Sequence, residues 1–410
     1  MYNVIDIFAG AGGLSEGFRR AGFNIVSHIE MDDKACNSLQ TREAYYYCLE
    51  QNKIDLYKSY IKGEITQKEF YSYIPQKILE KVINKEIKNG TFANICKTID
   101  KQRNNKKITG IIGGPPCQAY SIAGRSRMGK SVEKDHRNYL YKQYFKFLKK
   151  YNPDFFVFEN VSGLETAKKG SILEDIKTNF ENLGYDIDYK ILDAKNFGVL
   201  QSRKRLILIG FKNNLNLKYP EFTLEEPKYN IKNLFSDLPF LKAGEENNNY
   251  YQKANTCLEE THIRSKKWDV LTQNKTRTHN ERDLKIYQIQ AERKLKNLPE
   301  YKYNELPKSL ITHKNTKIFL DKFKVVPYNN ISHTIVAHIS KDGHHYIHPD
   351  VKQNRSLTVR EAARIQSFPD DYFFEGSFTN AFKQIGNAVP PLMAEKIAMQ
   401  ILKILKKKQI

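Results

Sequence analysis

The sequence predicts a doubly wound α/β domain joined to a smaller, loop-rich one. The opening 35 residues read strand, glycine turn, helix, strand, and further apolar strands bounded by turn residues recur up to about residue 212. Beyond Lys212 the pattern breaks into short strands, an Asn247-Asn248-Asn249 run and the prolines Pro220, Pro227 and Pro239, and regular periodicity resumes after Asp350. A doubly wound sheet binds its ligand beyond the carboxyl ends of its strands, so the residues that follow each strand are the first candidates for function.

Taken in order, residues 4–8 form an apolar strand, Gly10 to Gly13 a turn, 14–21 a helix and 25–29 a second strand. Residues 41–93 are rich in Lys, Tyr and Glu with helical spacing and are broken at Gly63 and Pro75, which predicts an inserted helical excursion. Strands return at 108–112 and 155–158, alternate at 189–192 and close at 206–209. Ser332 to His338, followed by Lys341-Asp342-Gly343, reads as a hairpin at a domain junction. Leu392, Met393, Ile397, Ile401, Leu402 and Leu405 form an apolar stripe on a final helix. The chain is expected to use 1–212 for the first domain and 213–350 for the second, and to return to the first with 351–410.

At 410 residues with 40% hydrophobic and 28% charged side chains, the chain is globular and long enough to need no disulfide or metal to fold. Its 67 Lys and Arg against 46 Asp and Glu leave a net charge of +21, which suits nucleic acid, an anionic membrane surface or plain solubility. Residues 264–296 hold ten Lys and Arg against four acidic residues with Trp268 and Tyr287 interleaved, either a polyanion-facing surface or a solvated helix face. Five cysteines, none in a Cys-x-x-Cys pair, point to a reducing compartment. No apolar run approaches membrane-spanning length, and Met1-Tyr2-Asn3 leads straight into a strand, so neither a span nor a secretory signal is expected.

Four constellations carry chemistry. In Asp6-Ile7-Phe8-Ala9-Gly10-Ala11-Gly12-Gly13 the glycines allow a sharp turn and close approach to a ligand. Ser15 stands where a dinucleotide fingerprint needs its third glycine, and Glu30 ends the next strand, where a carboxylate can accept from both hydroxyls of a ribose. An ordinary glycine turn with a surface glutamate fits equally well. Gly113-Gly114-Pro115-Pro116-Cys117-Gln118 follows the 108–112 strand, and its stiffened turn aims Cys117 as a candidate nucleophile rather than a small buried thiol. Glu159 ends the apolar run from Phe155, either as an acid or amine acceptor or as a turn cap. In Gln201-Ser202-Arg203-Lys204-Arg205 alternate side chains share a face, so Gln201, Arg203 and Arg205 project together to grip a carbonyl or phosphate, or else protect a sheet edge. His344-His345-x-x-His348 lacks a fourth ligand nearby, and no metal is expected.

This ordered series, with Asp135-x-Arg137-Asn138-x-Leu140, the 355–366 run Arg-Ser-Leu-Thr-x-Arg-Glu-Ala-Ala-Arg-Ile-Gln and Gln384-Ile385-Gly386-Asn387-Ala388-Val389-Pro390, resembles the DNA (cytosine-5) methyltransferase family of bacterial restriction-modification type. The resemblance implies a Rossmann-like S-adenosylmethionine-dependent methyltransferase domain with a target recognition domain at 213–350. It implies that the Cys117 thiolate adds to carbon 6 of cytosine, with Gln118 beside it, that Glu159 holds the N3/N4 edge, and that Arg203 contacts the ring carbonyl with Arg205 nearby. Phe8, Ala9, Gly10, Gly12, Gly13 and Leu14 would wrap the methionine end of S-adenosyl-L-methionine, Glu30 its ribose and Met31 its adenine. Pro116 and the pair Asn94-Ile95, taken as the third strand's end, would join them, and Asn387, Ala388 and Val389 would close the pocket. Ser121, Gly124, Arg125, Arg127, Gly129 and Lys130 would form a lid over phosphates, disordered without DNA, and Arg264, Lys266, Lys267, Arg277, Asn280 and Arg282 would meet DNA from the recognition domain. The expected partners are double-stranded DNA and a cognate restriction endonuclease, and the expected state is a cytoplasmic bacterial monomer. The rivals are a tRNA cytosine-5 methyltransferase, disfavoured by a missing Cys-Phe-Thr element, and a catalytically dead DNA-binding paralogue, disfavoured by the retention of Cys117, Glu159 and Arg203.

Overall fold

The structure, a computed structural model, describes residues 2–116, 140–312, 317, 318 and 320–408, with the side chain of Lys168 excepted. Strand β1 (Asn3–Ile7) is buried along its whole length and leads into helix α1 (Gly13–Arg20), then β2 (Asn24–Glu30). Helices α2 (Asp33–Glu50), α3 (Ile54–Ile61), α4 (Gln67–Ser72) and α5 (Gln76–Leu79) follow, then β3 (Val82–Asn84), α6 (Asn89–Arg103) and β4 (Gly110–Gly113). Helix α7 (Leu140–Tyr151), β5 (Phe155–Val161), α8 (Ser171–Asn182), β6 (Tyr185–Asp193) and β7 (Lys204–Lys212) complete the sheet region.

These strands make one mixed sheet in the order β3-β2-β1-β4-β5-β7-β6. Strands β1 to β5 run parallel, and β7 runs antiparallel to both β5 and β6. From β1 the chain first builds outward through β2 and β3, then returns to add β4 on the other side of β1. The reversal leaves a crevice at the carboxyl ends of β1 and β4, where open α/β sheets bind ligands.

The six strands expected from the sequence are all present, within a few residues. The insertion also holds a strand that the sequence reading lacks, because β3 is three residues long and too short to show a period. Gly63 and Pro75 fall between helices as expected. The inserted helices pack Tyr45, Tyr57, Tyr60 and Phe70 into one apolar cluster with Trp268 and Val270 from the distant middle of the chain.

The expected hairpin at 332–338 is absent and is corrected here. Ser332 makes a single bridge to Gln201, and residues Ala337–Ser340 turn as a 3-10 helix. The segment's polar groups go to residues 200–202 instead, through Ser332 N to the Leu200 carbonyl, Ser202 N to the Ser332 carbonyl and Thr334 Oγ1 to the Ser202 carbonyl.

The second half adds helices α9 (Ile231–Phe235), α10 (Thr256–Glu260), α11 (Glu281–Leu295), α12 (Val359–Ile365), α13 (Phe378–Asn387) and α14 (Pro391–Lys407). Helices α9, α10, α12 and α13 share a core with Ala11 and Leu200, whereas α11 packs separately with Tyr303, Leu306, Phe323, Val325 and Ile347. Helix α14 carries the predicted stripe and lays Met393, Ile397 and Ile401 against Leu14 and Phe18 of α1. The two helices touch so closely that a Cβ on Gly17 would sit 2.4 Å from the Glu395 amide nitrogen.

Candidate functional site

At the carboxyl end of β1 the chain turns through left-handed conformations at Phe8, Gly10 and Gly12, with φ of 58°, 55° and 69°. The turn is anchored to the end of β2. Glu30 Oε2 accepts from the Gly10 amide at 2.7 Å, while Oε1 accepts from the Met31 and Asp32 amides at 2.8 and 2.9 Å. The Glu30 carboxylate is therefore fixed in direction at the crevice mouth, and Met31 beside it is 61% exposed. Gly13 has no room for a side chain, since a Cβ would meet the Val389 carbonyl oxygen at 2.0 Å, and Gly12 is held in a left-handed conformation that strains any other residue, with Leu39 Cδ2 2.6 Å from its Cβ position. The Ala388-Val389 segment thus closes on the turn from the far end of the chain, while Asn387 is exposed. Ala9 and Leu14 lie within the same turn, and Leu14 is buried against α14.

Sequence reasoning assigns no task to two side chains that hold this arrangement. Tyr372 Oη donates to the Ala11 carbonyl at 2.6 Å, and Gln366 Nε2 donates to the Ala388 carbonyl at 2.5 Å. Both are buried polar groups reached only through tertiary contact, so no periodicity marks them. Helix α12 is buried at every position, including Arg360, Glu361 and Arg364, and its charged letters read as surface until the fold is known.

The second part of the crevice is built by β5 and β7. Because β7 is antiparallel, its first residues lie beside the carboxyl end of β5, pairing Val161 with Arg205 and Glu159 with Ile207. Glu159 and Arg205 become diagonal neighbours on one face. Arg205 Nε lies 2.8 Å from Glu159 Oε1, with both side chains only 14% exposed. Glu159 also presses on the turn after β4, where a Cβ on Gly114 would meet its Oε2 at 2.5 Å, and Asn160 Nδ2 donates to the Pro115 carbonyl at 3.4 Å. The carboxylate, the arginine and the Gly114 to Pro116 turn therefore occupy one place.

The roles read for Gln201 and Arg203 are corrected. Arg203 is 1% exposed and donates through Nη1 to the Ile335 carbonyl at 2.6 Å and through Nη2 to the Gly386 carbonyl at 3.0 Å. Gln201 is wholly buried, donating to Gln366 Oε1 at 2.6 Å and accepting from the Ile335 amide at 2.7 Å. Neither reaches the crevice, because both lie ahead of β7 and hold the 332–335 segment and the end of α13 together. Of the three alternating residues only Arg205 meets Glu159. Burial and the neighbouring Arg205 drive the Arg203 guanidinium well below its ordinary pKa.

The assignment of Asn94-Ile95 to the third strand's end is also overturned. That strand ends at Asn84, and Asn94 and Ile95 lie inside α6, the first exposed and the second buried in the core. The intervening insertion concealed the strand.

Cys117, Gln118, Ser121, Gly124, Arg125, Arg127, Gly129 and Lys130 lie outside the described residues, as does the Asp135-x-Arg137-Asn138 element. Pro116, which precedes Cys117, is exposed.

Among the recognition candidates, Arg264 is not a surface cation. Its Nη1 pairs with Asp237 at 2.6 Å, and its guanidinium stacks 3.3 Å from the centre of the Tyr250 ring. Asn280 caps α11 through Asp283 N, and Arg282 pairs with Asp283. Lys266 pairs with Glu259 and stays exposed, Lys267 is exposed, and Arg277 is half-buried in a groove. The three histidines at 344, 345 and 348 face different partners, namely Tyr287, the Asp321 carbonyl and Glu361. No group of three or more metal-ligating side chains occurs among the described residues.

The family model for C-5 cytosine-specific DNA methylase matches residues 2–71 and 71–403. The Type II methyltransferase M.Bpa9945I of Bacillus paralicheniformis is 41% identical over 436 residues, covering 97% of this chain and 98% of that protein. M1.HphI of Haemophilus parahaemolyticus, also a Type II methyltransferase, is 31% identical and covers 98% of this chain and 86% of its own. In fold, the chain is similar to a prophage-encoded E. coli protein described as a DNA modification methyltransferase, with a TM-score of 0.65, 24% identity and coverage of 99% and 100%. A mutant of Spodoptera frugiperda DNMT2 is similar at a TM-score of 0.53, with 15% identity and coverage of 99% and 100%.

Proposed function

The chain belongs to the C-5 cytosine-specific DNA methylase family and is a DNA (cytosine-5) methyltransferase; we propose that it methylates a cytosine flipped out of duplex DNA, within a short specific sequence, as the modification component of a type II restriction-modification system. The observation that carries this is the Glu159–Arg205 pair at the carboxyl end of β5, pressed against the turn that leads to Cys117.

Carbon 5 of an intact cytosine is a poor nucleophile. The Cys117 thiolate forms a bond to carbon 6, and the ring electrons move toward carbon 5 and the ring carbonyl. Glu159 holds the N3/N4 edge and stabilises a proton at N3. Arg205, already turned toward Glu159, takes the ring carbonyl, a role its place at the crevice suits and Arg203's does not. Held beside Glu159, the Arg205 guanidinium offers a charged donor to the negative charge that develops on the ring carbonyl. The electron-rich carbon 5 would then take the methyl group of bound S-adenosylmethionine, whose sulfonium carbon–sulfur bond breaks to leave the thioether, and loss of the carbon 5 proton to a base expels the thiolate and restores aromaticity. A base inside a duplex cannot reach these groups, and extruding it costs a few kcal/mol.

The residues at the other half of the crevice fit S-adenosylmethionine, which supplies an electrophilic methyl group when bound. The Phe8 to Leu14 turn would hold its methionine end, the preoriented Glu30 carboxylate its ribose hydroxyls, and exposed Met31 its adenine, with Ala388 and Val389 as the closing wall.

The test is methyl transfer from labelled S-adenosylmethionine to unmethylated duplex DNA by wild type and Cys117→Ala, with bisulfite sequencing of the product. Protection of cytosines in one short motif by wild type alone is the expected result. Labelling of tRNA but not DNA, or full activity of the Cys117→Ala protein, would refute the proposal.

A further inference from the structure

An open groove of about 590 Å³ lies between residues 275–280, the turn at 341–344 and Phe378 at the start of α13. Lys275, Arg277 and Lys341 stand on it. Arg277 donates through Nη2 to the Ile339 carbonyl at 2.8 Å and through Nη1 to the Lys341 carbonyl at 3.3 Å, and its guanidinium covers the rings of Phe378 and Phe382. It has no carboxylate within ion-pair distance among the described residues.

That lack separates Arg277 from the buried arginines of the second half, Arg264, Arg355 and Arg364 among them. Arg264, Arg355 and Arg364 each face a carboxylate at 2.6, 2.7 and 2.5 Å. A partly desolvated cation without a counter-charge is unfavourable, and an incoming anion relieves it. Lys341 is exposed and likewise has no ion-pair partner among the described residues, and the Lys275–Glu246 pair is an exposed one that gives way readily. Of the two carboxylates on the groove, Asp283 is paired with Arg282 and bonded to Asn280, whereas Asp342 accepts from the His344 amide and attracts Arg277 only from beyond ion-pair distance. His279 and His344 meet through Tyr287 Oη, and burial holds both below the ordinary histidine pKa, so at neutral pH they add no charge of their own to the groove.

We propose that this groove seats phosphates of the DNA backbone, with Arg277 and Lys341 as contacts and Lys275 on the rim. The proposal rests on the DNA substrate of the preceding subsection and adds where that DNA is anchored. The wall that carries Lys341 runs back to Ile335 and Thr334, which Arg203 and Ser202 hold beside the Glu159–Arg205 pair. A phosphate in the groove is thereby positioned relative to the base pocket through one short, braced segment. Phosphate contacts fix register and carry no sequence information themselves.

The experiment is fluorescence anisotropy of a labelled, non-cognate duplex over a salt series, with wild type, Lys341→Gln, Lys275→Gln, the double variant and Lys341→Arg. The slope of log K against log salt is expected to flatten by about 1 for Lys341→Gln and by about 2 for the double variant. Lys341→Arg keeps the wild-type slope, and bisulfite patterns keep the same motif. Melting temperatures identify a variant that fails to fold, and Lys341→Arg controls for loss of the side chain itself. Unchanged slopes overturn the proposal, and a changed motif with an unchanged slope overturns it in favour of base reading. A wild type that methylates DNA while all variants bind like it overturns this inference alone. A wild type that binds no duplex overturns it together with the substrate assignment.

Discussion

Replacing Gly13 by alanine tests whether the two ends of the chain close one cofactor pocket. The added Cβ would lie 2.0 Å from the Val389 carbonyl oxygen and 3.3 Å from Ala388 Cβ, whereas ordinary contact begins near 3.4 Å. The first contact demands about 3.4 − 2.0 = 1.4 Å of separation, and the obstacle is backbone that cannot rotate away. Overpacking of this kind costs about 1–3 kcal/mol, which corresponds to a roughly 5- to 150-fold rise in the Kd for S-adenosylmethionine if the pocket wall absorbs it. Titration calorimetry reads the affinity directly. Gly22→Ala is the control, because Gly22 has φ of 98° with only Leu402 Cδ2 near its Cβ position, at 4.0 Å. Backbone strain there lowers the melting temperature without moving Val389. Equal affinities for Gly13→Ala and wild type, or an equal loss in Gly22→Ala, would refute the coupling.

Arg205→Lys should lower kcat by roughly 10- to 1,000-fold with little change in melting temperature, whereas Arg203→Lys should destabilise the fold, because its two carbonyl partners are buried; comparing single-turnover rates with melting curves checks both, and the opposite pattern would restore Arg203 to the ring carbonyl. His348 is 3% exposed and held at a pKa of about 3, chiefly by burial and then by Arg355. Its folded pKa is below the unfolded value, so its stabilising effect is intact above about pH 6.5 and is lost as pH falls toward 3, by up to about 1.4 kcal/mol per pH unit. Urea unfolding between about pH 7 and 5 should show stability falling as pH falls, with His28, His279, His333, His344 and His345 adding to the slope in the same direction, and His348→Gln should remove its own share of it. Trp268→Ala removes a ring shared with Tyr45 and Tyr57 of the inserted helices and should cost about 3–5 kcal/mol, read as a fall in denaturation midpoint; a loss below about 1 kcal/mol would show that the insertion does not brace the middle of the chain.

Local rules made much of the molecule legible. Strands, the glycine turn and the final apolar stripe follow from periods of two and 3.6 and from residues that tolerate left-handed backbone, so β1, β2, β5, β7 and α14 could be placed from letters alone. Glu30 was legible as the carboxylate that ends β2, whereas β5 runs two residues beyond Glu159, where the apolar run stops. The three-residue β3 was not legible, and its loss displaced the third strand's end to Asn94.

By itself the sequence determined the fold class, the family and the order of the site elements, because each is written in contiguous residues whose spacing has a direct geometric meaning. Only the tertiary structure decided which arginine serves the crevice and which ties the chain together. Arg203 and Arg205 are two residues apart with the same alternation, and what distinguishes them is distant: the antiparallel pairing of β7 with β5, and the carbonyls of Ile335 and Gly386 that reach Arg203 across 132 and 183 residues of chain. Burial of charged side chains such as Arg360, Glu361 and Arg364 was decided in the same way, since a charge becomes tolerable inside a protein only when partners far along the chain are brought within hydrogen-bonding distance.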